Sequence, residues 1–402
     1  MSSKRMAIRR RPALAAAAAA AAFAVSVTAC GPGEGAEADT DAKPTAAAPG
    51  ALLPEELGLP EDLPFSLEDL KAWKEGKWDD WDPDGWLGDA KEFINPVIED
   101  LWDRQRMRDA EEPDREVGED EIGGTPDGDG AGAAEDEGVT DPEPAKVDAA
   151  AVPVPYTESA AAHGKVFMDT PGGQMVCSGT VVRDPANPGR SNLVATAGHC
   201  VHGGKGKGWF RNVVFVPGFN HRGLPAAELE TAPEEDVLPH GIWWAGEAAT
   251  TDHWRAEGAE QGGAGAQQDF AMLEVSREDG AGSSLEETVG AAVTVNFSLP
   301  TVSTLGELTA RGYPAAPPFD GSAMYHCADA PGRLTIDPEQ PTMYRIGCTM
   351  TGGSSGGGWI ARGPGGEDEL YSVTSIGPVT ATWLAGPRLG ADAKGVFDAV
   401  SG

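Results

Sequence analysis

Three short segments carry side chains suited to acyl transfer. Residues 193–200 read LVATAGHC, an apolar, β-prone run that ends in His199 beside Cys200. Residues 350–359 read MTGGSSGGGW, in which Ser354 and Ser355 are embedded in glycines. Only small residues let two backbone N–H groups point into the space beside a nucleophile, where they stabilise charge that develops in the transition state. Between these segments, QQDFAMLEV places Asp269 at the head of an apolar run. An aspartate in that position can be buried far enough to orient an imidazole.

The elements that must position these groups read as strands. From Val152 to Gly402, short apolar runs such as 213–217 (VVFVP), 270–275 (FAMLEV) and 370–376 (LYSVTSI) are separated by Gly, Pro, Asn and Asp. Many short strands with turn signals between them predict an all-β sandwich or barrel. No internal repeat is evident.

The three segments, in the order His, Asp, Ser, resemble the chymotrypsin-like serine peptidases, most closely the bacterial branch that includes the glutamyl-endopeptidase-like enzymes. TAGHC is the specific part, and the resemblance covers about 250 residues. It implies His199 as general base, Asp269 as its orienting carboxylate and a disulfide from Cys200 back to Cys177. GSSGGG at 353–358 resembles the family's GDSGGP. That register implies Ser355, not Ser354, as nucleophile, with the amides of Gly353 and Ser355 as oxyanion hole. Spacings of 70 and 86 residues suit two successive six-stranded antiparallel β-barrels with the triad at their junction. Two positions depart from the pattern. Ser354 stands where the digestive members carry the aspartate that captures a new N-terminal amine, and Gly358 replaces the usual proline.

Specificity is read by exclusion. Six residues before Ser355, at the base of the expected primary pocket, stands Thr349, so no carboxylate is placed there to bind Lys or Arg. TSIG at 374–377 resembles the family's substrate-pairing strand, beginning at Ser375. Glutamate-specific relatives carry a histidine just before that serine. Here it is Thr374, which argues against strict Glu preference.

Of 402 residues, 64 are acidic and 30 basic, with net charge +5 over 1–30, −26 over 31–150 and −13 over 151–402. Excess negative charge without a basic patch repels phosphate and excludes a nucleic-acid reader. Basic residues at 4, 5, 9, 10 and 11 precede an uncharged Ala-rich run from Ala13 to Ala29, too weakly apolar and too abruptly ended for a permanent span. It reads as an export signal. Val27–Gly31 (VTACG) resembles the lipobox of bacterial lipoproteins, which implies a diacyl anchor on Cys30 and an extracytoplasmic, membrane-anchored protein; the other reading is a secreted chain. Two acyl chains are the number needed for stable attachment. Lipidation of Cys30 leaves Cys177, Cys200, Cys327 and Cys348, an even set in an exported segment, so two disulfides are expected.

Residues 31–51 and 111–150 are acidic, small and almost without large apolar side chains, the composition of disordered linkers. Between them lies an island with Trp73, Trp78, Trp81, Trp86 and Trp102. A first helix is predicted to open at Ser66 and run through Trp73, and a second to start near Asp89. In the second, Phe93, Val97 and Leu101, with Ile94, Ile98 and Trp102, form an apolar stripe despite Pro96. That stripe packs either within the island or, as a prosegment would, on the β domain.

No metal or cofactor is expected. The four cysteines include no CxxC, His202 beside His199 lacks a third ligand, and the EF-hand-like DWDPDGWLGDAK ends in Lys91 where a carboxylate is required. The reading is therefore a signal with lipobox at 1–29, an acidic linker or prosegment at 30–151 with its island near 52–110, and a serine endopeptidase domain at 152–402 acting on polypeptides. A non-catalytic, surface-anchored binding protein that keeps the fold is the alternative.

Overall fold

The computed structural model describes residues 93, 95, 97–113, 115–124, 137–280 and 282–401. The expected export signal with Cys30, the expected linker at 31–51, the predicted helix from Ser66 and the EF-hand-like sequence all lie outside these residues.

Two short strands, β1 (Glu116–Val117) and β2 (Ala150–Ala151), precede a ring of six: β3 (His163–Thr170), β4 (Gly173–Val182), β5 (Leu193–Thr196), β6 (Arg211–Pro217), β7 (Trp243–Thr250) and β8 (Ala271–Arg277). The ring closes in the order β3-β4-β5-β8-β7-β6, every neighbouring pair antiparallel. Successive strand side chains point to opposite faces, and the clusters divide accordingly. Val166, Met168, Val213 and Phe215 join one core with Leu193 and Met272, while Phe167, Val214 and Val216 join a second with Trp244. Burial on both faces explains why β6 reads as a continuous apolar run instead of an alternating one.

The second face is covered by the N-terminal segment. Leu101, Trp102 and Met107 belong to the cluster of Phe167, Val176 and Val214, and the Trp102 indole donates to Asn212 O at 2.6 Å. This is the docked alternative for the apolar stripe. The predicted helix from Asp89 is absent among the described residues up to Asp103; a helix runs only over Arg104–Asp109, its first turn capped by Asp103. Pro96 cannot donate and disfavours helix in the preceding residue. Asn95 is instead buried, donating to Val213 O and Ala245 O and accepting from Val213 N at 2.8–2.9 Å.

The second half contains β9 (Thr294–Val295), β10 (Leu308–Gly312), β11 (Tyr325–Asp329), β12 (Gly332–Leu334), β13 (Met343–Gly347), β14 (Gly358–Arg362), β15 (Asp368–Val373), β16 (Gly377–Pro378) and β17 (Trp383–Gly386). A six-stranded sheet, β2-β11-β10-β14-β15-β9, and a three-stranded one, β12-β13-β17, enclose one core around Leu308, Tyr344, Ile346 and Trp359. This mostly antiparallel, two-part β architecture is the chymotrypsin-like fold. Cys177 and Cys200 are joined at 2.05 Å, and Cys327 and Cys348 at 2.10 Å. The terminal helix Ala391–Val400 lays Ala393, Val396, Phe397 and Val400 on the first core.

Where composition predicts a linker over 111–150, residues 111–113, 115–124 and 137–150 are paired with the domain. Apolar contact and charge both hold them: Val117 packs with Ile376 and Trp383, and Val147 and Ala149 pack against the cluster of Leu308. Asp141 forms a bidentate pair with Arg333 at 2.7 and 3.0 Å, which holds its carboxyl below the ordinary range against the upward push of burial.

Candidate active site

β5 ends at Thr196, and Ala197–Cys200 turn through a single 3₁₀ turn that aims His199 back towards Asp269. The turn is tight: a Cβ on Gly198 would lie 2.6 Å from Thr250 Oγ1 and 2.9 Å from the Trp254 ring. Asp269 closes another 3₁₀ turn, Ala266–Gln268, immediately before β8. Its fully buried carboxylate takes the His199 backbone N–H at 2.8 Å on Oδ1. Oδ2 takes His199 Nδ1 at 2.6 Å and the Ser375 hydroxyl at 2.6 Å. Burial alone would raise this carboxyl, but His199, Arg115 and Ser375 outweigh it and hold it below the ordinary value. Burial lowers His199, and Asp269 offsets only part of that. The pair is thus a carboxylate and a neutral imidazole, with the Nδ1 proton towards the carboxylate. Nε2, on the far side of the ring, is buried without a hydrogen-bond partner among the described residues.

The turn between β13 and β14 holds Ser355. Gly356 adopts φ +76°, and a Cβ there would lie 2.1 Å from Thr196 Oγ1, so this glycine lets the turn press against the end of β5. Ser178 clamps the turn from β4: its N–H donates to Ser355 O at 2.7 Å and its hydroxyl to Gly353 O at 2.9 Å. The amides of Ser354, Gly356 and Gly357 donate within the protein, whereas those of Gly353 and Ser355 have no acceptor among the described residues. Two free N–H groups beside one serine are the pattern that can receive an oxyanion. The Ser354 hydroxyl is occupied, donating to Thr351 O at 2.7 Å; Ser355 Oγ has no partner among the described residues.

A cleft of about 380 Å³ opens beside Ser355, with Met350, Thr351, Thr374 and Ser375 in its walls. Thr374 Oγ1 accepts from the Trp359 indole at 2.9 Å. Thr349 is not part of the lining; its Oγ1 accepts from Ala149 N at 2.8 Å. Among the described residues the only grouping with metal-ligand spacing is Cys177, His199 and Cys200, and the two sulfurs are spent in the disulfide. His202 is a buried core residue whose Nδ1 accepts from Gly204 N, with its pKa pushed down to about 4 by burial.

Two contributors were not foreseen from sequence. Ser375, assigned to the substrate pocket, is also the third donor to Asp269, a contact across 106 residues without any local signal. Arg115 lies buried over the Trp254 ring at 4.7 Å, and that ring lies 6.1 Å from His199. It is the one basic residue between Asp109 and Ile122, a signal the linker composition concealed.

No protein-family profile matches the chain, and no curated protein matches it significantly. Solved structures do. A thermostable serine protease AL20 from an extremophilic microorganism is 31% identical, covering 60% of this chain and 97% of that one, with TM-score 0.48. The protease Anisep from Arthrobacter nicotinovorans is 26% identical over 63% and 98%, with TM-score 0.49. A Glu endopeptidase is 16% identical over 63% and 96%, with TM-score 0.44. The chain is thus similar to bacterial serine proteases over about three fifths of its own length and nearly all of theirs.

Proposed function

We propose that this protein is a serine endopeptidase that cleaves polypeptides through an acyl-enzyme, with Ser355 as nucleophile, His199 as general base and Asp269 as the group that holds the imidazole. The observation that carries the reading is the buried His199 Nδ1–Asp269 Oδ2 contact of 2.6 Å, which leaves Nε2 as the basic nitrogen. As Ser355 Oγ attacks a peptide carbonyl, Nε2 takes its proton. The carbonyl oxygen becomes an oxyanion on the Gly353 and Ser355 amides. Collapse expels the amine, which leaves with the proton from Nε2, and water then hydrolyses the ester by the same path. Asp269 stays ionised throughout and stabilises the imidazolium.

The general base supplies roughly 10²–10⁴-fold and an oxyanion donor roughly 10²–10³-fold. The test is exhaustive treatment of the whole chain with a fluorophosphonate, beside Ser355→Ala, with peptide mapping. Adduct on Ser355 that the variant lacks supports the reading; no adduct on Ser355 refutes it in favour of a binding protein that keeps the fold. The export signal and lipobox further lead us to propose an extracytoplasmic protein anchored through Cys30. Release from membranes by Cys30→Ser checks this, and equal retention of the variant refutes it.

A further inference from the structure

Residues 111–113 and 115–117 run along the cleft at Ser355 and pair with the protein at two places. At one end Glu111 N donates to Gln174 O at 2.9 Å and Val176 N to Glu111 O at 2.8 Å, a parallel bridge to Met175 in β4. At the other, β1 pairs in parallel with β16, Glu116 opposite Gly377 and Val117 opposite Pro378. Between these pairings Glu112 and Pro113 share the cleft wall with Gly352 and Ser355. The fit is close: a Cβ on Gly352 would lie 2.7 Å from Glu112 Cγ and 3.2 Å from Pro113 O. Beyond them Arg115 is buried against Trp254, donating to Ala259 O and, at 3.2 Å, to Gly262 O. Val117 packs in the cluster of Ile376 and Trp383.

We propose that residues 111–117 are a built-in inhibitor, a strap that occupies the peptide-binding edges beside Ser355 and must leave before a polypeptide can bind. This rests on Ser355 being the nucleophile. An extended peptide binds a β-domain by adding a strand to a free sheet edge, and here the edges at Gln174–Val176 and Gly377–Pro378 are already filled. Being part of the chain, the strap acts at an effective concentration in the millimolar range, well above that of a dilute substrate. No carbonyl of the described strap residues reaches the amides of Gly353 or Ser355, so the strap covers the site without offering these peptide bonds to it. Arg115 acts a second way. Its buried positive charge lowers the proton affinity of His199, and the imidazolium that catalysis requires is disfavoured while the strap is closed.

The test uses the full chain with Arg115→Ala, Arg115→Lys or Val117→Asp, and reads the fluorophosphonate labelling rate at Ser355 across pH together with hydrolysis of fluorescein-casein. If the strap is closed in about 90–99% of molecules, opening it raises both rates roughly 10- to 100-fold. Arg115→Ala is expected to show this gain and an upward shift of the acid limb. Arg115→Lys, which keeps the charge, should shift the limb less. Val117→Asp opens the other end, so the result does not hang on one variant folding well. A synthetic peptide of residues 108–120 should suppress the gained activity competitively and be recovered intact. Equal labelling of the parent and both opening variants overturns the strap while leaving the nucleophile in place. Labelling of none overturns both, and cleavage of the peptide at residues 111–117 overturns the inhibitory role.

Discussion

Replacing Asp269 by asparagine tests the reading of the site most sharply, because the structure sets the size of the effect. The carboxylate accepts three hydrogen bonds, from His199 N on Oδ1 and from His199 Nδ1 and Ser375 Oγ on Oδ2. An amide has one oxygen and one NH₂, so it cannot accept at both positions. With its oxygen towards His199 N, the NH₂ faces Nδ1, which must then accept, and the ring proton moves to Nε2, where it blocks the basic nitrogen. With the amide reversed, NH₂ faces the backbone N–H and leaves a buried donor unmatched, at a cost of about 1–3 kcal/mol. The first arrangement is therefore favoured, and the wrong tautomer lowers kcat by about 10⁴-fold in a triad of this kind, which is about 5 kcal/mol at 1.36 kcal/mol per decade. Asp269 is fully buried and does not line the cleft, so KM should change little. The assay is steady-state hydrolysis of a fluorogenic polypeptide in the strap-opened form, with circular dichroism to verify folding. A folded variant that retains more than a tenth of kcat, or whose loss lies entirely in KM, refutes the assignment.

Three further outcomes follow from burial and charge. Because burial sets the His199 pKa below its ordinary value of 6.5, kcat/KM should stay flat as pH falls through 6.5 and decline only below it; a midpoint above 6.5 in the parent chain contradicts this. Trp102→Ala removes a buried side chain that packs on Phe167 at 5.4 Å and donates to Asn212 O, and should cost about 3–5 kcal/mol in urea unfolding if the N-terminal segment and the ring unfold together. Lys165 is buried, donates to Gly321 O at 3.0 Å and has its pKa pushed down to about 7. The unfolded chain binds that proton up to an ordinary value of 10.5, so this group makes stability rise between pH 7 and 10.5. Lys165→Met should flatten the rise in urea midpoints between pH 7 and 9, and an unchanged slope contradicts it.

The catalytic candidates were legible in the sequence because each chemical demand is met within a few contiguous residues. A glycine-wrapped serine, a histidine at the end of an apolar run and an aspartate at the head of another need no knowledge of distant partners. The β texture of residues 152–402 was legible for the same reason, since strand and turn chemistry is local. The four cysteines after Cys30 told of two bridges by their even number, and the resemblance supplied the first pairing. Tertiary structure alone decided what lies against what. The pattern at 93–102 repeats every four residues, yet its described residues up to Asp103 form no helix: Leu101 and Trp102 are buried, Val97 is exposed, and Asn95 is held by three hydrogen bonds to the β6 and β7 backbone. Residues 111–117 carry no periodic pattern, because a two-residue strand is too short to have one. Their place beside Ser355 comes from backbone bonds at two ends, from Val117 packed with Ile376 and Trp383 and from one arginine on Trp254. Backbone pairing is blind to side-chain identity and couples residues more than 250 apart, Glu116 with Gly377, so it is written in the folded surface and not in the order of the residues.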